Sequence, residues 1–302
     1  MKNLKKSFAK SCLTIFGRIA PTTLSKVLFR ISQHKKLNLK NPETFNEKLM
    51  WLKIYNYNHN KTAWQCADKY LVRKYAKKHG VPEDNLPKLL GVYQNVNEIN
   101  FDKLPPKFAL KCSHGCGFNI ICQDKSKLDI QKTRKQLNKW LKTKFGYSSA
   151  ETHYTHIKPV IMCEEFIDSQ HDAWPYDYKL YCFNGEPKVV LVTSERETGH
   201  LKLNWYDLNW QELPYGHAKN RNQKTIAKPK HLATMIKIAK QVSKDFPFVR
   251  VDFYEYKNHA IMGEKTFTPA ADVATYYNQK GQQELGNMLQ LNIESLNKEH
   301  KS

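Results

Sequence analysis

Residues 246–269, FPFVRVDFYEYKNHAIMGEKTFTP, contain two apolar runs, 248–253 and 260–267, with a polar turn between them. Short runs rich in β-branched and aromatic residues predict a pair of strands. Residues 177–192 predict a second hairpin, in which Asn184-Gly185 forms a two-residue turn at positive φ. Apolar residues at helical spacing lie between the two hairpins. The sequence therefore predicts an α+β fold, because hairpins are too frequent for a doubly wound parallel sheet.

The first of these hairpins can bring two acidic side chains together. Because side chains alternate across a strand, Asp252 and Glu264 can lie on one face, with Arg250 beside Asp252 and Thr266 beside Glu264. Mg²⁺ takes one or two carboxylates together with nucleotide phosphates, which such a pair could supply. The alternative is a solvated strand face on which Arg250 and Lys265 only balance their acidic neighbours.

A glycine turn forms a second candidate site. Lys111 ends a predicted strand, 108–111, and is followed by a turn with Gly115 and Gly117. Glycines let backbone N–H groups approach phosphate oxygens while the lysine neutralises their charge. A zinc site is the alternative, and it would use Cys112, His114, Cys116 and Cys122. A strand–turn–strand spaces these four ligands poorly for one tetrahedron.

Residues 45–55 and 67–79 predict helices, and Thr44 with Glu47 predicts a capping box at the start of the first. Length and composition add broad limits. The chain has 302 residues, 40% hydrophobic, enough for one large or two small domains. No apolar run reaches the roughly 20 residues of a membrane-spanning helix, which argues against an integral membrane protein. The seven cysteines show no paired pattern, which favours a reduced, cytoplasmic setting.

The net charge of +21 indicates an anionic partner: nucleic acid, anionic lipid, a nucleotide or an acidic polysaccharide. The first 36 residues contain nine Lys and Arg and no Asp or Glu. Apolar residues recur there at helical spacing: Leu4, Phe8, Cys12, Ile15 and Ile19. One interpretation is a basic amphipathic segment at the inner face of an anionic membrane. The other is a pair of ordinary helices packed on the main body with solvated lysines outside.

Three further motifs are ordinary alone: Asp68-Lys69 before a helix, Glu164-Glu165-Phe166 at the end of an apolar strand, and Lys179 on the 177–192 hairpin. Their order along the chain, together with Lys111 and the acidic hairpin, resembles the ATP-grasp superfamily. The stretches NPETFNEKLMWLK, ADKYLVRKYA, FALKCSHGCGFNIIC, DYKLYCFNGEPK, FPFVRVDFYEY and MGEKTFTP resemble the TupA-like ATP-grasp family, which is associated with teichuronopeptide and capsular polysaccharide synthesis.

This resemblance covers about residues 37–270. It implies an ATP-grasp fold, in which two α+β subdomains enclose MgATP, with a helical N-terminal extension. The expected boundaries are a basic amphipathic extension at 1–40, a helical region at 41–100, a lid subdomain at 101–165, and a C-terminal subdomain with the metal site at 166–302.

The resemblance also implies roles for individual residues and names ATP and Mg²⁺ as cofactors. The expected ATP-binding residues are Lys69, Lys111, Gly115, Gly117, Glu164, Glu165, Phe166 and Asp172. Among these, the two lysines would contact phosphates, Glu164 and the backbone around Phe166 would hold adenine, and Asp172 would meet the ribose. The expected metal ligands are Asp252, Glu264 and Thr266, and the expected catalytic residues are Arg250 and Lys179. Three departures from the family pattern are Cys116 and Phe118 in the glycine loop where smaller residues are expected, Lys265 after the acidic ligand, and Ala270-Ala271-Asp272 in place of a glycine-containing stretch.

The implied activity is an ATP-dependent carboxylate–amine ligase that forms an acyl phosphate, with a glycan uronic acid and an amine such as an amino acid as partners. A glycan kinase and a glycosyltransferase of capsule or O-antigen synthesis are alternative enzymes. The chain lacks an Asp-x-Asp pair, which argues mildly against a glycosyltransferase. A basic nucleic-acid-binding protein is the non-enzymatic alternative, and the absence of an RNA-binding stacking motif argues against it.

Overall fold

A computed structural model describes residues 2–168, 176–195 and 201–293, with side chains from residue 9 onward. Its α-helices are α1 (Lys2–Ile19), α2 (Pro21–Gln33), α3 (Phe45–Leu52), α4 (Lys61–Ala67), α5 (Leu71–Lys78), α6 (Ile130–Lys142), α7 (Leu232–Ser243) and α8 (Gln279–Met288). Its strands are β1 (Leu89–Tyr93), β2 (Phe108–Cys112), β3 (Asn119–Cys122), β4 (Ile161–Glu165), β5 (Asp177–Phe183), β6 (Glu186–Ser194), β7 (Lys202–Asp207), β8 (Glu212–Leu213), β9 (Phe248–Tyr256) and β10 (His259–Thr266).

The strands form two antiparallel sheets. The first has the order β1-β4-β2-β3, and the second has the order β10-β9-β5-β6-β7-β8. Both predicted hairpins are present, and Asn184 and Gly185 adopt φ of 49° and 84° in the turn between β5 and β6. Helices and antiparallel sheets together confirm the predicted α+β class.

The two faces of the second sheet have different neighbours. Helix α7 packs against strands β5, β6, β9 and β10. The Nζ of Lys265 on β10 donates to the carbonyl of Val242 in α7, at 2.7 Å. Because neighbouring residues of a strand point to opposite faces, Glu264 belongs to the face turned away from α7. That second face carries the candidate site.

Helix α3 packs against α8, near the other end of the chain. The predicted capping box of Thr44 and Glu47 opens α3 and is confirmed. The Nζ of Lys48 donates to the carbonyls of Gly286 and Leu289, each at 2.8 Å. The Phe45 ring packs edge-on against Phe248 of β9, with 5.3 Å between centroids. Residues more than 200 positions apart thus close one core over the end of the second sheet.

The N-terminal helices contact the body through a narrow surface. Helix α1 packs against residues 147–149, and a Cβ added to Gly17 would lie 1.8 Å from the carbonyl oxygen of Tyr147. Only glycine permits this backbone approach. In α2, Leu24 and Phe29 are fully buried. In the described ranges no helix is long and apolar enough to span a bilayer.

Two predicted helices have different bounds in the structure. Helix α3 ends at Leu52, and the chain continues as a π-helical turn, Lys53–Tyr57. Helix α5 begins at Leu71 rather than at residue 67, because the Asp68 carboxylate accepts hydrogen bonds from the backbone N–H of residues 70 and 71. A capping side chain of this kind fixes a helix start more closely than apolar spacing does. Strands β1, β7 and β8 and helix α8 were not predicted from the sequence.

Candidate active site

The register of the second sheet brings the predicted acidic residues together. Glu264 of β10 lies opposite Asp252 of β9, and Thr266 lies opposite Arg250. Lys179 of β5 lies opposite Asp252 on the other side. Directly opposed residues in antiparallel strands share a face. One face therefore carries two carboxylates, two cations and a hydroxyl on three adjacent strands.

Asp252 sits at the centre of this arrangement and is 2% exposed. Arg250 donates to both of its carboxylate oxygens, from Nε at 2.6 Å and from Nη2 at 2.7 Å. Lys179 donates to Asp252 at 2.6 Å and also pairs with Asp177. Burial alone would lower the pKa of Arg250, but the charge of Asp252 raises it well above its ordinary value. Asp252 thus binds both cations, and Asp177 adds a second contact to Lys179.

Lys69 joins the two sheets. Its Nζ lies 3.0 Å from the carboxylate of Glu264 and donates to the carbonyl of Gly115 in the glycine turn at 2.8 Å. Burial would raise the pKa of Glu264, but attraction to Lys69 and the neighbouring cations lowers it to about 2. Glu264 is therefore ionised at neutral pH. We call Lys69, Lys179, Arg250, Asp252 and Glu264 the cleft cluster.

The glycine turn approaches this cluster from the first sheet. Gly115 is packed under Phe118 and Phe145, and a Cβ there would come within 3.0 Å of both rings. Gly117 has a φ of 73° and open space on its Cβ side. Among the described residues no group of three or more His, Cys, Asp or Glu side chains is placed to hold a metal ion. The zinc alternative therefore finds no support within the ranges described.

Glu164 and Glu165 end strand β4 next to the second sheet. The Nζ of Lys111 lies 2.7 Å from Glu164, which is 4% exposed. Glu165 pairs instead with Lys257, in the turn between β9 and β10. The two adjacent acids thus lie on opposite sides of β4. Glu164 contacts Lys111, and Glu165 contacts the second sheet through Lys257.

Phe166 follows directly after β4. The Nζ of Lys107 lies over its ring at 5.7 Å from the centroid and forms an ion pair with Asp168 at 2.9 Å. Asp172, the predicted ribose ligand, lies outside the described residues. The structure therefore brings together the residues expected to bind phosphate and metal, and the expected role of Asp172 stays a prediction.

Lys265, a departure from the family pattern, points away from the cleft cluster. It is 3% exposed, and its Nζ lies 4.1 Å from the ring centroids of both Tyr75 and Phe246. Burial lowers its pKa to about 8. Lys265 therefore makes no contact with Asp252 or Glu264, because its side chain lies on the face of the sheet that packs against α7.

A second group of buried charge lies at the end of β10 and was missed by the sequence. We call Lys53, Ser149, Glu151, Thr268 and Asp272 the Lys53 cluster. Glu151 accepts hydrogen bonds from Ser149 at 2.5 Å and from Thr268 at 2.6 Å. Lys53, fully buried, donates to the carbonyls of Ala271 at 3.0 Å and Ser149 at 3.4 Å.

The backbone next to the Lys53 cluster is left-handed at three successive residues that are not glycine: Ala270, Ala271 and Asp272, with φ of 51°, 55° and 65°. L-residues pay a steric penalty in this conformation. One feature of the sequence pointed to this region: the residues after Pro269 are not the glycines that the family pattern has. The sequence did not indicate which residues Asp272 would lie beside.

A cavity of about 590 Å³ lies at the edge of the second sheet formed by β7 and β8. Lys179 lies opposite Leu191, and Leu191 lies opposite Trp205, so all three share a face. Trp205 lines the cavity with Leu203, Leu213, His217 and Arg221. Two strand spacings, about 10 Å, separate Trp205 from Lys179. Within the described chain the buried Nε1 of Trp205 has no hydrogen-bond partner.

The donor set of the cleft cluster fits a hard divalent cation. Mg²⁺ binds carboxylates and completes its shell with phosphate oxygens and water. Asp252 and Glu264 are opposed in the register, and Glu264 is about one-third exposed. Glu264 thus supplies a carboxylate that is open to solvent, and Asp252 supplies a buried one that Arg250 and Lys179 already bind.

The class of fold follows from these features and from comparison with known proteins. A family model described as TupA-like ATPgrasp matches residues 47–290. The two sheets and their helices form an α+β ATP-grasp fold. The chain belongs to the TupA-like ATP-grasp family, as its sequence motifs predicted. No curated protein matches it.

Several solved structures are similar to this chain at low sequence identity. D-alanine–D-alanine ligase from Bacillus anthracis, complexed with ATP, is 14% identical, with a TM-score of 0.44 over 79% of this chain and 68% of that one. The corresponding ligase from Helicobacter pylori is 16% identical, with a TM-score of 0.42 over 81% and 69%. L-amino acid ligase from Bacillus licheniformis is 12% identical, with a TM-score of 0.47 over 81% of this chain and 55% of that one.

Proposed function

We propose that this chain is an ATP-dependent ligase that joins a carboxylate to an amine. One observation carries the proposal: two carboxylates and two cations share one face of the second sheet, and Lys69 joins Glu264 on that face to the glycine turn. Phosphoryl transfer requires mainly positioning and stabilisation of charge on the phosphate oxygens. A fixed array of this kind supplies both.

In the proposed reaction, a substrate carboxylate attacks the γ-phosphorus of ATP and releases ADP. The amine then attacks the carbonyl of the acyl phosphate, loses a proton and releases phosphate, leaving an amide. Asp252 and Glu264 would hold Mg²⁺, which would supply charge neutralisation to the phosphates. Lys69 and Lys111 would bind phosphate oxygens under the turn of Gly115 and Gly117.

Lys179 and Arg250 are the proposed catalytic residues. Both donate to Asp252, and both lie on the face turned away from α7. A guanidinium with a raised pKa stays charged throughout the reaction and can stabilise the transferring phosphoryl group. We also propose that Thr266 belongs to the metal site. Its hydroxyl accepts a hydrogen bond from Arg250 at 3.0 Å.

Adenine would bind at the end of β4, between Glu164, Glu165 and Phe166. This segment connects the first sheet to the second and lies beside Lys111. The ion pair of Lys111 with Glu164 would have to loosen as the lysine turns to phosphate. We include Asp172 as the ribose ligand on the resemblance alone.

The proposed carboxylate substrate is a uronic acid of a surface polysaccharide, and the proposed amine is an amino acid. The net charge of +21 favours an acidic glycan. The cavity beside Trp205 offers a place for the acceptor, because it lies on the reacting face and carries Arg221, which an acidic acceptor would take over from its ion pair with Glu212. An aromatic and aliphatic floor with a few polar groups is typical of small-molecule sites. The proposed location is the cytoplasm, next to the membrane.

Calorimetry with MgATP tests the nucleotide site. Glu264→Gln and Lys111→Ala should each abolish magnesium-dependent binding. The matched controls are Glu186→Gln and Lys240→Ala, an exposed ion pair on β6 and α7 away from the cleft cluster. Nucleotide at about 100 times its dissociation constant should stabilise the wild type by about 2.7 kcal/mol, a thermal check on the same samples. A folded wild type that does not bind MgATP would overturn the proposal.

Product analysis separates the ligase from its alternatives. ADP release that requires both a uronic acid and an amine supports the ligase, with the matching neutral sugar as the control acceptor. A phosphorylated glycan without an amide would instead show a kinase. Arg221→Ala should raise the KM for the uronic acid at least about fivefold and leave the affinity for MgATP unchanged. Equal KM values in wild type and variant would remove the cavity from the acceptor site.

A further inference from the structure

We propose that helices α1 and α2 form a docking surface for an anionic lipid bilayer, with the apolar stripe of α1 facing away from the protein. This surface does not depend on the ligase proposal. It favours the lipid surface over the interpretation of two ordinary helices packed on the body, because an apolar stripe that served only to pack α1 on the body would face inward.

The orientation of α1 follows from Gly17. Its backbone meets Tyr147 and marks the side of the helix turned to the body. At 3.6 residues per turn, a residue two positions from Gly17 lies about 160° round the helix. Ile15 and Ile19 occupy these positions and are 61% and 77% exposed. Phe16 beside them is also exposed.

Helix α2 extends the same kind of surface. Leu24 and Phe29 face the body and are fully buried. Val27 and Ile31, one turn apart, are exposed, Ile31 by 65%. Residues four positions apart lie on one face of a helix. The pair therefore forms a second apolar stripe on a helix that packs against α1.

Large apolar side chains are concentrated here. Of the ten that the structure describes as exposed, five belong to residues 15–31: Ile15, Phe16, Ile19, Val27 and Ile31. Single exposed apolar residues are normal on a soluble protein, but a group of them indicates an interaction surface. The other five lie elsewhere along the chain: Tyr70, Leu71, Ile130, Tyr176 and Leu201.

Charge identifies lipid as the partner. The chain has no acidic residue before Glu43 and nine basic residues among its first 36. Lys10, Arg18, Lys26 and Arg30 are all exposed beside the apolar stripes. Each basic residue near an anionic bilayer adds attraction, and apolar side chains enter the boundary of headgroups and acyl chains. A second copy of this surface would be repelled by the same unbalanced positive charge.

Vesicle sedimentation tests the proposal with the full chain. Wild type should bind vesicles of equal phosphatidylcholine and phosphatidylglycerol at least tenfold more tightly than vesicles of phosphatidylcholine alone. The double variant Ile15→Asn/Ile19→Asn should bind the anionic vesicles about tenfold more weakly, because two exposed apolar side chains are lost. The matched control is Ile130→Asn, an exposed isoleucine at the start of the basic helix α6.

Salt separates insertion from charge attraction alone. Raising the salt concentration should weaken wild-type binding without abolishing the difference between wild type and the double variant. Equal binding by wild type and the double variant, or binding indifferent to lipid charge, would overturn the proposal. So would a dimer that the double variant loses, without vesicle binding, because the surface would then bind a second copy. A circular dichroism spectrum and thermal midpoint like those of the wild type verify, without any nucleotide, that the double variant is folded, so a failed ligase and a failed lipid surface give different results.

Discussion

The cleft cluster and the Lys53 cluster contain acidic groups at the two ends of one short segment, Glu264 and Asp272. The two clusters shift the pKa values of these groups in opposite directions. In the cleft cluster, attraction to Lys69 and its neighbours outweighs burial and lowers the pKa of Glu264 to about 2. In the Lys53 cluster, burial outweighs attraction to Lys53 and raises the pKa of Asp272 well above its ordinary value. Both carboxyl oxygens of Asp272 lack a hydrogen-bond partner within the described residues.

The difference separates two uses of buried charge. Cations arranged about a carboxylate keep it ionised and available to a metal or a phosphate-bound partner. An acid without enough partners becomes neutral when buried, and its environment then serves to hold a backbone shape. The left-handed turn at residues 270–272 is such a shape. The nine residues 264–272 therefore carry both a carboxylate of the cleft cluster and a left-handed turn that only shapes the backbone.

The largest effect should come from removing the central acid of the cleft cluster. Asp252→Ala leaves Arg250 and Lys179 without their shared partner, and breaking a buried pair costs about 3–5 kcal/mol. Urea unfolding measures this loss. The control Asp245→Ala, an exposed acid that accepts from Tyr75, should cost under about 1 kcal/mol. Equal losses in the two variants would mean that the cleft pairs hold no more of the fold than a surface contact does.

Lys53→Met makes the corresponding change in the second cluster. It removes the two hydrogen bonds to backbone carbonyls and the cation nearest Glu151 and Asp272. We expect a loss of about 2–4 kcal/mol, smaller than for Asp252→Ala because Asp272 is already neutral. Lys61→Met, at an exposed position, serves as the control. A loss as large as that of Asp252→Ala would erase the contrast between the clusters.

The pH dependence of stability should have opposite signs in the two clusters. Glu264 has a lowered pKa, so its contribution is present above about pH 4.5 and is lost as the pH falls toward 2. Asp272 has a raised pKa, so wild-type stability should fall as the pH rises above about 4. Glu264→Gln and Asp272→Asn remove these effects in turn. The Glu264→Gln difference from wild type should be about 1–2 kcal/mol, since Glu264 is partly screened by solvent. Asp272→Asn should remove the fall in stability with rising pH.

Thermal unfolding across this pH range measures both variants against the wild type. Slopes of the same sign would contradict the assignment of one ionised and one neutral acid.

The smallest effect concerns the strained turn. Ala270→Gly removes a Cβ from a left-handed residue and should stabilise the fold by about 0.5–1 kcal/mol. Ala218→Gly, exposed and without a positive φ, should instead destabilise it slightly. Denaturant midpoints of the two variants give the comparison. A loss of stability in Ala270→Gly would mean that the turn is not strained.

Local features of the fold could be predicted from the sequence. The capping box of Thr44 and Glu47 and the turn at Asn184-Gly185 depend on neighbours only a few residues away. The opposition of Asp252 and Glu264 follows from alternation in two adjacent strands. Each feature was predicted because its partners lie close in the chain, and each is confirmed.

Features that depend on distant partners could not be predicted in this way. The ion pair of Lys69 with Glu264 joins residues that are 195 positions apart in the sequence. The placement of Lys265 against Tyr75 depends on how α5 packs on the second sheet. The outward stripe of α1 depends on one backbone contact at Gly17. Periodicity gives the faces of a helix, and only tertiary packing decides which face is turned inward.

The contact between α3 and α8 has a consequence for how the protein is made. Because Lys48 donates to the carbonyls of Gly286 and Leu289, the contact of α3 with α8 forms only after residue 289 has been synthesised. In the same way, Glu264 can meet Lys69 only after β10 has been synthesised. A chain that stopped before α8 would expose apolar surface around Phe45 that α8 helps to cover.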